Sequence, residues 1–230
     1  MSRSGDLIDF KVFEADFFLE KLRAVETDFL AARFYFSAYV SAARSITFAL
    51  QAVLRDVPGF DEWYMGEQAK LRANRIARFF VEVRNESQKL GLTPLNRGTS
   101  QWRPDGKQEV KYYFAGGFEG DGALVPEVDV VEACSANMTL LVQLIYDAYD
   151  QFNILSPVSF FSVDNLIDTN LSIEEVEEAL GFPRGWTAGG DLPVAERLDL
   201  LRQAVPDTAI DRVFLRYLGK ERSTARRNSN

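Results

Sequence analysis

Arg84-Asn85-Glu86-Ser87-Gln88-Lys89 is the run whose residue types and spacing best suit chemistry. A guanidinium, a carboxamide and an ammonium within two helical turns can hold an anion, because they supply donors and positive charge together. The proton chemistry such a run could support is constrained by composition. The 230-residue chain has no histidine, and histidine is the side chain that ordinarily exchanges a proton near neutral pH. Lys89, with an ordinary pKa of about 10.4, is a fixed cation rather than a general base.

The missing histidine also excludes Ser-His-Asp and Cys-His mechanisms and zinc sites built on imidazole. Cys134 is the single cysteine, so neither an internal disulfide nor a thiolate metal site is available. A bound metal would have to be a carboxylate-held Mg²⁺ or Ca²⁺. Asp147 and Asp150, three apart on a helix, could contribute, although solvated surface is the stronger reading. No metal and no cofactor is expected. Net charge is −8, so nucleic acid could be bound only through a local basic patch.

The run must be positioned by helices. Apolar residues at three-to-four spacing predict a helix over 6–24. A second, over about 28–56 behind a Thr27 or Asp28 cap, carries Phe29, Phe34, Phe36, Tyr39, Ile46, Phe48, Leu50 and Val53 on most of its sides. That pattern predicts a central, buried helix. Its polar stripe holds Arg33, Ser37, Ser41, Arg44, Gln51 and Arg55, with Phe48 interrupting. The stripe is either a solvated face or a seam facing the next long helix. Pro58-Gly59 ends the second helix, a short piece follows to Gly66, and a third helix runs from about 67 to 90. On it Arg75, Arg78, Glu82, Asn85 and Lys89 lie three or four apart. A salt-laced surface is the plain alternative for that face.

From 93 the character changes. Two β-like runs flank Pro104-Asp105-Gly106, which predicts a hairpin at about 97–115. Gly116 to Gly122 is glycine-rich but lacks a phosphate-loop ending and reads as a loop. A helix returns from Pro126 to about Phe152 and closes a four-helix bundle. In the last part, Ser172-Ile173-Glu174-Glu175 is a capping box. Helices follow at about 193–204 and 207–218, then a basic tail with Arg222, Arg226 and Arg227. The expected architecture is mainly α: a bundle over 1–156 with the hairpin inserted, and a small helical module over 157–230. The start of the chain lacks an apolar signal core, and no apolar stretch reaches the ~20 residues of a membrane span. A cytoplasmic location is expected.

A bundle whose long helix ends in Arg-Asn and polar residues resembles the HEPN superfamily, over about residues 28–92 and the closing helix. The active ribonucleases of that superfamily place a histidine after the arginine, commonly as Arg-Asn-x-x-x-His. Arg84 and Asn85 match the first two positions, Lys89 stands where histidine would be, and the wider spacings land on Leu90 and Gly91. The resemblance implies a homodimer in which two such clusters meet. It implies a non-catalytic binding or regulatory module, with anion, RNA or nucleotide contacts drawn from Arg33, Arg44, Arg78, Arg84, Asn85 and Lys89, in a defence or toxin–antitoxin-type system. Catalytic candidates reduce to Arg84, Asn85 and Lys89. The alternatives are a divergent metal-independent ribonuclease using Arg84 and Lys89 with Glu82 or Glu86, and a structural interaction module whose protein partner docks on 157–230.

Overall fold

The computed structural model describes residues 6–25, 27–90, 94–102, 106, 108–114, 125–152, 161–204 and 210–220. The fold is mainly α, with one two-stranded antiparallel sheet among the described residues. The helices are α1 (Asp6–Arg23), α2 (Phe29–Leu54), α3 (Phe60–Ala73), α4 (Arg75–Leu90), α5 (Val130–Gln151), α6 (Val163–Thr169), α7 (Ile173–Ala179), α8 (Val194–Ala204) and α9 (Ile210–Leu218). The strands are β1 (Leu95–Trp102) and β2 (Gln108–Phe114). The chain divides into two compact units, 1–145 and 146–230. The division falls inside α5, ahead of the boundary expected after Ser156.

In the first unit, α1 buries Ile8, Val12, Ala15, Leu19 and Leu22. Their alternating spacing of four and three makes one continuous apolar stripe, which packs on α2. Asp28 starts α2 by accepting from the Ala31 amide at 3.0 Å. α2 buries Phe36, Tyr39, Ile46 and Leu50, but it is not apolar on every side in the way its composition suggests. Phe34 and Phe48 are exposed, because they fall on the side of the helix opposite that core.

The third long helix of the sequence reading is two helices. Asn74 has an extended backbone, with ψ 125, and ends α3. Its side-chain Oδ1 then accepts from the Ala77 amide at 3.1 Å and starts α4. One asparagine thus closes one helix and opens the next, a local competition with helical hydrogen bonding for which short amides are suited.

The hairpin lies against the bundle core rather than beside it. Leu95 and Tyr112 are buried, and Phe114 meets Phe79 and Phe36 with ring centroids 4.7 and 5.9 Å apart. Leu95 faces Phe114 and Trp102 faces Gln108, with a register shift between Arg97 and Ser100 that gives β1 one extra residue. Gly98 occupies that bulge, where a Cβ would collide with the Tyr113 ring and the Lys111 carbonyl oxygen. Pro104 and Asp105 of the expected turn, and the Gly116–Gly122 loop, lie outside the described residues.

Asp129 joins hairpin to helix. Its Oδ1 accepts from the Val131 amide at 2.9 Å and caps α5, while Oδ2 accepts from the Tyr112 amide of β2 at 3.1 Å. Asp129→Ala should cost about 1–2 kcal/mol, the usual loss for a helix cap with a further bond attached. Thermal unfolding would show it, with faster amide exchange at Tyr112 and Val131 together. Exchange that rises at only one of them would refute the shared tie.

The second unit gathers Phe161, Leu166, Ile173, Val176, Leu198 and Leu201 into one core, with Leu180 and Phe182 packed on its edge. Ser162 caps α6, accepting from the Asn165 amide at 3.2 Å; this short helix is an element the sequence reading omitted. The expected capping box at α7 is present: Ser172 Oγ accepts from the Glu175 amide at 3.2 Å and the Ser172 amide donates to Glu175 Oε2 at 2.7 Å. Tyr146 and Tyr149 meet the Phe214 ring of α9 edge-on, at 5.3 and 5.9 Å. Residues 205–209, where the sequence places the start of the last helix, lie outside the described residues. So do 221–230, with Arg222, Arg226 and Arg227.

Candidate functional site

α4 has one apolar face, Phe79, Phe80 and Val83, all buried. Arg75, Arg78 and Asn85 are exposed, and Arg84 and Glu86 are half-buried. Arg84 lies at the border of the two faces, which fits its intermediate burial. One guanidinium N–H donates to Asn85 Oδ1 at 3.4 Å, a long bond that engages one of its five donors among the described residues. The two residues that match the motif are therefore adjacent and partly open to solvent. Lys89 continues the helix, and its side chain lies outside the described residues. Two residues before Arg84, the Glu82 Oε2 atom is buried with no hydrogen-bond partner among the described residues.

Of the other candidate cations, Arg44 is held on its own helix. It donates to Thr47 Oγ1 at 3.2 Å and lies over the Phe48 ring at 4.5 Å. Arg33 is half-buried. Arg75 donates to the Val125 carbonyl at 3.3 Å. α2 and α4 meet through rings instead of a polar seam, with Phe80 against Phe36 at 6.3 Å and against Tyr39 at 5.9 Å. Tyr39 itself donates from its hydroxyl to the Cys134 carbonyl at 2.8 Å and accepts from Asn137 Nδ2 at 3.0 Å. These are buried polar groups satisfied within the core.

The most fully built polar cluster was not among the sequence candidates. Glu177, on α7, is completely buried. Its carboxylate accepts five hydrogen bonds, from the amides of Gly185, Trp186 and Thr187, from Thr187 Oγ1 and from an Arg197 guanidinium nitrogen. Burial alone would raise its pKa, but the hydroxyl, amide and guanidinium donors outweigh it and hold the carboxyl at about 2, below its usual 4.5. Arg197 also donates to Glu174 Oε1 at 2.8 Å and to Thr187 Oγ1 at 3.0 Å. With its lone pairs taken by the chain itself, the carboxylate clasps the 181–190 loop instead of presenting itself to a ligand. Phe182 and Trp186 stack on that loop at 4.4 Å.

Cys134 resolves as structure. It is fully buried, and that burial, first of all, pushes its thiol well above the ordinary range; a reactive thiolate needs the reverse. Among the described residues no three carboxylate or thiol groups gather around a possible cation position.

Fold and site together define a helical-bundle protein with an arginine–amide pair near a helix end and no imidazole. A family model described as Bacteriophage lambda protein ea47 matches residues 28–96. The matched segment begins at the α2 cap and ends at the second residue of the β1–β2 pairing, less than a third of the chain. No curated protein and no solved structure matches the chain. No helix among the described residues is long and apolar enough to cross a membrane.

Proposed function

We propose that the chain is a non-catalytic, HEPN-like binding or regulatory module that forms a homodimer and holds an RNA or nucleotide phosphate through Arg84 and Asn85. The observation that supports this most is the half-buried residue Arg84 beside the exposed Asn85, with one guanidinium donor given to Asn85 and most of the others unengaged by described residues. A planar guanidinium backed by an amide suits a phosphate oxygen pair. The lack of histidine in the chain argues against the histidine-dependent cleavage of the active members. A cytoplasmic defence or toxin–antitoxin-type setting fits this reading, and similarity to a bacteriophage protein family is consistent with it.

RNA binding measured against salt tests the proposal. Arg84→Ala should weaken single-stranded RNA binding about tenfold and flatten the salt dependence by roughly one phosphate contact. Unchanged affinity and slope would leave Arg84 as surface. One observation favours a second reading, in which Arg84 and Lys89 assist a divergent ribonuclease: the unfilled Glu82 oxygen supplies an acceptor on the same helix. RNA cleavage by the wild type, abolished in Arg84→Ala, would establish that reading; its absence would eliminate it.

A further inference from the structure

The hairpin carries one aromatic that the core does not use. Cross-strand partners share a face of a ribbon, so Leu95 with Phe114, Ser100 with Val110 and Trp102 with Gln108 stand on one side of this one. The bulge at Gly98 decides which residue ends that side: without the extra residue Gln101, not Trp102, would oppose Gln108. Burial falls away toward the turn. Leu95 and Tyr112 are buried, Val110 is half-buried and Trp102 is 75% exposed. The other two tryptophans lie against rings, Trp63 at 6.1 Å from Phe60 and Trp186 at 4.4 Å from Phe182. Trp102 meets no ring among the described residues. Charge differs here too. Residues 95–114 hold Arg97, Arg103, Lys107 and Lys111 against Asp105 and Glu109, a net +2 in a chain of net −8. Lys111 is exposed, on the opposite side of the ribbon from Tyr112.

We propose that the hairpin binds single-stranded nucleic acid, with an unpaired base stacked on Trp102 and the backbone drawn in by the ribbon's positive charge, Lys111 included. An indole is a flat, rigid contact surface, and every base has a π-face to lay on it. In a duplex those faces are taken up by the neighbouring pairs, whereas a single strand presents them. An acidic peptide would answer the charge but offer the indole no plane. The chain as a whole repels a polyanion, so a strand can settle only where the local charge reverses, as it does along this ribbon. The inference takes its ligand class from the proposed function and adds a contact on the hairpin that does not involve Arg84 of α4.

Fluorescence of the full chain, with Trp63 and Trp186 replaced by phenylalanine, reports on Trp102 alone. Short oligouridine and oligothymidine, the RNA and DNA probes, should quench it saturably at low salt, and the tighter of the two names the strand. A blunt duplex of equal length should not quench it. Trp102→Ala should weaken oligonucleotide binding about tenfold, with the thermal melt unchanged because the side chain is already exposed. Trp102→Phe should keep most of the affinity, since a ring remains. Lys111→Ala should lower the slope of affinity against salt by about one contact and leave the quenching in place. No quenching, quenching by the duplex as strong as by the single strands, or affinity indifferent to Trp102→Ala overturns the proposal. So does equal quenching by oligoaspartate, which would mark a docking site for acidic protein. Quenching that survives Arg84→Ala keeps the hairpin contact whatever becomes of the α4 site. RNA binding that depends on Arg84 but not on Trp102 keeps the α4 site and removes this one.

Discussion

Glu177→Gln is expected to be the most damaging single substitution in the second unit. A glutamine keeps the shape but turns an NH₂ toward donors that need an acceptor, and it leaves Arg197 with Glu174 as its one carboxylate partner among the described contacts. Removing one partner from a buried charged cluster typically costs about 3–5 kcal/mol. The measurement is chemical unfolding of the full chain, following Trp186 with Trp63 and Trp102 replaced by phenylalanine. A loss below about 1 kcal/mol would mean that the loop is held by something other than Glu177.

The same carboxylate fixes a pH dependence. Its folded pKa of about 2 lies below the ordinary 4.5, so the folded state holds the proton less readily than the unfolded chain does. Its contribution is complete above pH 4.5 and is lost as pH falls through 4.5 toward 2. Over that window the loss is roughly 3 kcal/mol, at about 1.4 kcal/mol per pH unit. The Glu177→Gln variant should lack that part of the slope. A variant as acid-sensitive as the wild type would assign the acid loss to other groups.

Phe79→Ala is expected to have the largest effect in the first unit. The Phe79 ring is buried and meets Phe80 at 5.5 Å and Phe114 at 4.7 Å, while Phe80 and Phe114 in turn reach Phe36. Truncating a buried phenylalanine costs about 3–5 kcal/mol through lost burial and the cavity left behind. Here α2, α4 and β2 share the cavity, so collapse around it is restricted. Thermal unfolding should show the loss, and the near-ultraviolet dichroism of the aromatic cluster should weaken. Leucine at the same position should recover much of the stability. If alanine and leucine behave alike, the rings are not packed as described.

Much of the architecture was legible because it is written in local signals. Asp28 ahead of an apolar run, Pro58-Gly59 after it and Ser172 three residues before Glu175 each act within one turn of chain. The mainly helical fold, the hairpin and the α7 box follow from such marks. The break at Asn74 was hidden because Leu71, Ile76 and Phe79 continue an apolar rhythm across it, and periodicity does not register one extended residue. Phe34 and Phe48 misled for the opposite reason. Hydrophobicity says that a ring would gain from burial, but only the placement of neighbouring helices says which face is covered. Glu177 was invisible in a glutamate-rich run that reads as solvated surface; its donors lie eight to twenty residues further along. Arg84 and Asn85 could be nominated from the sequence, whereas the self-held position of Arg44 depended on the fold.

The way the hairpin seats its rings bears on how this protein can be dissected. Tyr112 is buried as fully as the helical core side chains and lies beside Phe29 at 5.9 Å, while the half-buried Phe114 closes over Phe36 and Phe79. The hairpin is thus a keystone and not an ornament that could be excised by joining α4 directly to α5. A helix-only fragment would uncover the Phe29, Phe36 and Phe79 rings on which they pack, and aggregate. A usable minimal piece of the first unit has to carry both strands together with Asp129.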